Sequence, residues 1–124
     1  MHLSIETLTM PALHDLSAAE LLLAYRDKSL SPVEATRAVL DHIAAWEPHL
    51  RATYALDAEG ALAQARESEA RWLKGAPQGP LDGIPSTLKE NIATRGVPMP
   101  LGTAATVLTP AERDAPPAAR MREA

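Results

Sequence analysis

No cysteine occurs in this chain, so it holds no disulfide framework, no zinc–thiolate centre and no thiol nucleophile. Phenylalanine is also absent, which leaves Tyr25, Trp46, Tyr54 and Trp72 as the aromatic residues. A core must therefore be assembled mainly from Leu, Val, Ile and abundant Ala, and alanine buries little area per residue. Long apolar runs are missing too, and nothing approaches the length of a membrane-spanning helix. The first dozen residues have no basic start, no continuous apolar stretch and no cleavage site. No secretory leader is therefore expected, and a cytoplasmic location is the default. Charge of neither sign dominates. The formal net charge is -4, which disfavours a nucleic-acid surface, because phosphate binding asks for clustered Lys and Arg. What remains is ordinary globular composition, 46% hydrophobic and 23% charged, in a chain of 124 residues, enough for one small core.

Residues 1–14 carry no strong pattern and read as an N-terminal arm. Ser17-x-x-Glu20 is a capping box, flanked by Leu16 and Leu21 as a hydrophobic staple. It predicts a helix over 18–28 with Leu21, Leu22 and Tyr25 on one face. Ser31-Pro32-Val33-Glu34 repeats the signal, with proline at the first helical position where its missing N–H costs nothing. Val33, Thr36, Leu40, Ile43 and Ala44 then share a stripe, with Val39 at its edge. Pro48 is expected to stop this helix and to push Glu47 toward extended geometry. Only Ser29-Leu30 separates the two helices, which favours a tight corner.

A short strand is expected at 52–56, followed by a helix over 58–74 capped by Asp57. Ala58, Ala61, Leu62, Ala65, Trp72 and Leu73 form its apolar stripe, interrupted by Ser68 and Glu69. Arg66, Glu67, Glu69 and Arg71 read as its solvated face. Lys74-Gly75 ends it with a cation and a glycine where each is favoured. Beyond Ile92 the glycines and prolines forbid a regular element. Asp114 is expected to cap a last helix with Pro116 and Pro117 in its first turn. His2, His14, His42 and His49 show no metal-ligand spacing, so they read as surface residues and no metal or cofactor site is expected.

The most informative stretch is Gly79-Pro80-Leu81-Asp82-Gly83-Ile84-Pro85-Ser86-Thr87-Leu88-Lys89-Glu90-Asn91-Ile92. It opens as a turn, since proline fixes φ and glycine permits positive φ. It then becomes extended, with Pro85 suited to the first residue of a strand or to an edge. Alternation puts Ile84, Ser86 and Leu88 on one face and Thr87 and Lys89 on the other. Such a strand delivers one lysine near its C-terminal end beside a polar Glu-Asn pair. Taken alone, a lysine there is more often a solvated gatekeeper charge than a catalyst.

The pattern around the lysine is far more specific. Gly-Pro-Leu-x-Gly-Ile-Pro-x-x-Leu-Lys-x-Asn-Ile, then Thr94-x-Gly96-x-Pro98 and Gly102-Thr103, resembles the N-terminal part of the amidase signature family. Asp15–Leu22 and Leu30–Glu34 resemble the helices that open those proteins. Asp114–Ala124 resembles the helix that precedes their serine-bearing segment. The resemblance spans about residues 15–124. It implies an α/β fold of which this stretch is the N-terminal portion, mostly helical with about two short strands and an incomplete sheet. Residues 1–14 would be an arm and 15–124 the N-terminal segment of an amidase domain. Departures exist: Ser86 and Thr87 stand where the family usually has apolar residues, Glu90 where aspartate is common, Pro100 where threonine is common, and Thr103 where serine is usual.

By this resemblance Lys89 matches the lysine of a Ser–cis-Ser–Lys triad that hydrolyses or transfers carboxylic amides. One serine attacks the carbonyl, a second relays its proton, and a neutral lysine accepts that proton and returns it to the leaving amine. The serine-bearing stretch is not in this sequence and would lie beyond Ala124. Ser86 faces away from Lys89 and is not a candidate nucleophile. The implied partners are a small-molecule amide in the full-length protein and either self-association or a C-terminal complement, with no membrane and no direct nucleic-acid contact. The alternatives are a non-catalytic helical interaction module and one half of a split amidotransferase. The transamidase subunit that amidates aminoacylated transfer RNA is one possible relative.

Overall fold

The computed structural model describes residues 10–124. Most of the expected N-terminal arm, together with His2, lies outside the described residues. A single 3-10 turn, Leu13–Asp15, leads into four helices: α1 (Ala18–Asp27), α2 (Pro32–Leu50), α3 (Ala58–Leu73) and α4 (Pro116–Glu123).

The first two helices begin where their capping boxes stand. Ser17 Oγ accepts from the Glu20 N–H and the Glu20 carboxylate accepts from the Ser17 N–H; Ser31 and Glu34 do the same for α2. α1 closes on Lys28 in the left-handed region, φ 63°, with Lys28 N donating to Tyr25 O and Ser29 N to Ala24 O. That is the Schellman arrangement with lysine in the position glycine usually takes. It turns the chain sharply through Ser29 and Leu30 into α2, as the short link requires. Asp57 caps α3 by accepting from Gly60 N, and Gly75 follows its end at φ +69°.

Two expected boundaries fail. Pro48 does not stop α2, which runs on to Leu50 and closes on left-handed Arg51, φ 48°. Proline removes one backbone donor, but in the last turn the cost is small. Arg51 N still reaches Glu47 O at 2.9 Å, and the Glu47 side chain accepts from Thr53 N. Asp114 is not the cap of α4. The N-cap is Ala115, with no side-chain bond, and the Asp114 carboxylate instead accepts from Arg95 N and Arg122 Nε at 2.7 and 2.8 Å.

The expected strands do not form either. No strand is present among the described residues, and the α/β character implied by the resemblance is not displayed by this part of the chain. Residues 52–56 and 84–89 are both irregular, and neither joins a ladder. An extended segment becomes a strand only when a neighbour takes its hydrogen bonds, and none does here. The nearest approach to a sheet lies further on. Gly96 N donates to Ala111 O, Ala111 N to Val97 O and Ala115 N to Ala93 O, leaving isolated bridges at Arg95–Ala111 and Pro98–Pro110. These stitch the long loop into a double strap.

α2 packs along α3, with the 3-10 turn against α2 and α1 against α3. The core sits at the α1–α2 corner: Leu21, Tyr25 and Ala35 are buried, and Leu16, Leu22, Leu30, Trp72 and Ile84 pack on them. Ile84 thereby roots the lysine-bearing segment in the helical core. The α2 stripe is only partly used, since Val33, Val39, Leu40 and Ile43 are half-buried and Ala44 is exposed. No helix among the described residues is long and apolar enough to cross a membrane.

Candidate functional site

The α2–α3 pair, the 52–57 loop and the segment from Leu81 to Met99 enclose an open trough of about 1170 Å³. Thr36, Leu40, Ile43 and Ala65 line it on the helical side, and Leu88 and Lys89 line it on the other. Lys89 is exposed and sits at the end of the 84–89 segment. Its backbone carbonyl accepts from Ile92 N at 3.0 Å, which turns the chain away directly after the lysine. Ser86 Oγ donates to Ile84 O at 3.3 Å, so that hydroxyl is engaged with its own backbone. The structure thus places Lys89 and Ser86 alike on the wall of a concave face, with the Ser86 hydroxyl turned to its own backbone.

The turn from which this segment springs is where sequence reasoning missed most. Asp82 stands at a position the motif leaves open, and Arg71 reads as a residue of the solvated face of α3. They form a bidentate pair instead. Arg71 Nε donates to Oδ2 and Nη2 to Oδ1, both at 2.7 Å. The Asp82 side chain is 3% exposed and that of Arg71 32%. Gln78 N donates to the same carboxylate at 2.7 Å. Ser68, the residue that interrupts the α3 stripe, is buried with its hydroxyl leaning toward this cluster without closing a full hydrogen bond.

The guanidinium hydrogen bonds hold the Asp82 carboxyl down to about 2 from an ordinary 3.8, opposed by its burial and helped by Gln78 N–H and Ser68. Two aromatic side chains reach the adjoining carbonyls. Trp72 Nε1 donates to Asp82 O and Tyr25 Oη to Gly83 O, each at 3.0 Å. Burial pushes the Tyr25 phenol up, so it remains a donor. Gly83 itself is at φ +86°, and a Cβ there would sit 2.6 Å from Ser68 Oγ and 2.9 Å from Pro32 Cγ. Only glycine fits so close an approach of turn to helix.

The C-terminal end of α4 is held by the same turn. Leu81 N donates to Ala124 O at 2.8 Å and Gln78 Nε2 to Arg122 O at 3.0 Å.

His42 and His49 are exposed and His14 half-buried, yet two of them meet. His14 and His42 stack with ring centroids 3.8 Å apart, although 28 positions separate them, and Trp46 and His49 continue the row along α2. Among the described residues no group of three or more His, Asp or Glu side chains is placed to hold a metal ion.

Known proteins share this frame. Residues 34–124 match the family described as Amidase. The chain is 42% identical over 87 residues to a glutamyl-tRNA(Gln) amidotransferase subunit from Acidothermus cellulolyticus, covering 70% of this chain and 17% of that protein. It is 43% identical over 95 residues to the protein of the same name from Salinispora tropica, covering 76% and 19%. Among solved structures, a bacterial aryl acylamidase of the amidase signature family is similar with a TM-score of 0.68 at 32% identity, covering 74% of this chain and 19% of that one. The chain spans less than a fifth of the length of these curated relatives. The lysine-bearing motif, the helical frame that roots it and a family match across most of the sequence agree, and the chain belongs to the amidase family.

Proposed function

We propose that Lys89 is the proton-accepting lysine of an amide-cleaving site of the Ser–cis-Ser–Lys kind, and that this chain supplies the lysine-bearing part of it. The observation that carries the proposal is the segment 84–89. It is rooted by Ile84 in the core and brings Lys89 to the wall of an open trough, inside the motif that resembles the family's lysine strand. In the reaction, the nucleophilic serine oxygen bonds to the amide carbonyl carbon. Its proton passes through the second serine to the Lys89 Nζ. The C–N bond then breaks as Nζ returns the proton to the departing amine, and water releases the acyl group by the reverse relay. Backbone N–H groups beside the nucleophile would hold the oxyanion. Neither serine is in this sequence, so the 124-residue chain by itself is expected to leave amides uncleaved.

A chimaera tests this. Residues 34–124 are grafted in place of the matching segment of the Salinispora tropica protein, and hydrolysis of a simple carboxylic amide such as glutamine is followed. The graft with Lys89 is expected to retain hydrolysis, and Lys89→Ala to lose about 10²- to 10⁴-fold, the range for a general base. Equal activity of the two grafts would defeat the assignment. The unsupplemented chain serves as control. Hydrolysis by it that disappears in Lys89→Ala would mean that another hydroxyl has replaced the missing serine.

A second reading, a partner-binding role for the trough, is favoured by its half-buried and exposed apolar walls. On this reading a complementary polypeptide, or a second copy, covers Leu40, Ile43, Leu56 and Leu88.

A further inference from the structure

We propose that Arg71 and Asp82 are positioning residues for Lys89, fixing the direction in which the lysine segment leaves the helical core. The proposal rests on the reading of Lys89 as the reactive lysine. It concerns residues that the family motif does not specify, since Asp82 occupies one of its open positions.

The segment beyond the turn has little else to hold it. Among the described residues, no backbone N–H from Ser86 to Asn91 finds a backbone acceptor. No ladder steers it. Its direction is set at its base, where the fixed points converge within a few residues. Ile84 is packed in the core and Ile84 N donates to Leu81 O at 3.0 Å. The Asp82 and Gly83 carbonyls are held by Trp72 and Tyr25. Asp82 is the anchor of this set, because its carboxylate ties the turn to α3 by two charge-assisted bonds and to the Gln78 backbone by a third.

The bidentate geometry matters as much as the charge. A planar fork clamped on a carboxylate resists both translation and rotation of the turn, whereas a point charge resists only separation. A small rotation of the turn about Asp82 is magnified along the unpaired chain before it reaches Lys89. Burial of the carboxylate completes the device. With its side chain 3% exposed, the Asp82 carboxylate has little water to turn to when Arg71 lets go.

The test uses the 124-residue chain and backbone amide relaxation by NMR, with the segment read against the helices. In the wild type, Thr87 to Lys89 should be ordered nearly as well as α3. Arg71→Lys keeps the charge and loses the fork; Asp82→Asn keeps the shape and loses the charge. In both, order parameters at Thr87–Lys89 are expected to fall below about 0.6 while those around Ala65 stay near 0.85. The exchanged pair Arg71→Asp with Asp82→Arg should recover part of the lost order. Should Asp82→Asn fail to fold, Arg71→Lys carries the comparison alone. Unchanged order at 87–89 in a folded variant overturns the proposal. Loss spread equally through α2 and α3 overturns it too, because the pair would then be a general brace. The measurement does not depend on catalysis. A loosened segment together with a chimaera indifferent to Lys89 would sink the catalytic assignment and leave the mechanical link standing.

Discussion

At the scale of single residues, the Arg71–Asp82 pair has a consequence in pH. The folded carboxyl is held at about 2 and the unfolded one returns to its ordinary 3.8. A depressed folded pKa contributes stability that is fully present above the unfolded value and is lost as pH falls through the folded one. The window is therefore roughly pH 4 down to 2. At about 1.4 kcal/mol per pH unit, the pair's contribution is on the order of 2 kcal/mol. Urea denaturation of the wild type and Asp82→Asn should show a gap of that size at neutral pH, closing as pH is lowered through the window. A gap independent of pH would show that the carboxylate's charge contributes nothing. The pair also marks a limit of sequence reading. Lys89 could be singled out in the sequence because a long ordered motif surrounds it. Arg71 and Asp82 were not, because each fits an ordinary local role: a charged residue on a polar helix face, and an aspartate in a Gly-Pro turn. Only the packing of the turn across α3 makes them partners.

At the scale of elements, helix starts were legible and strands were not. A capping box is a local contract between residues three apart, so its chemistry is complete within the sequence. Ser17–Glu20 and Ser31–Glu34 formed as read. Ser31→Ala is expected to lower stability by about 1 kcal/mol, seen as a shift of the denaturation midpoint with an unchanged slope. An unmoved midpoint would mean the cap adds nothing. Strand pairing is the opposite case. Residues 84–89 have the alternation and the leading proline, yet the partner that would complete a ladder is not a property of those residues. The Pro48 boundary failed for a related reason. A proline in the last turn forfeits one bond that the end of α2 can spare, so its veto is weaker there than in mid-helix.

At the scale of the whole molecule, the helical frame holds more apolar surface than it covers. Leu50, Leu56, Leu73, Leu88 and Trp46 are exposed, and the unpaired 84–89 segment lines the same trough as Leu56. Open extended edges and contiguous apolar faces drive association. Sedimentation at micromolar concentration is expected to show dimers or larger species of the 124-residue chain. A single compact monomer with a cooperative melt would count against the trough as a surface awaiting cover.

The two tryptophans divide this molecule into a hidden and an open half, and light can tell them apart. Trp72 is half-buried, with its indole N–H bound to the carbonyl of Asp82 and its ring tilted against Tyr25, 5.9 Å between centroids. Trp46 is exposed on α2. Their fluorescence should therefore separate into a bluer emission shielded from a soluble quencher and a redder one open to it. Loosening the turn before Lys89 would move only the shielded component, and covering the exposed side of α2 only the open one. The chain carries its own optical gauge of the lysine's footing, with no label added.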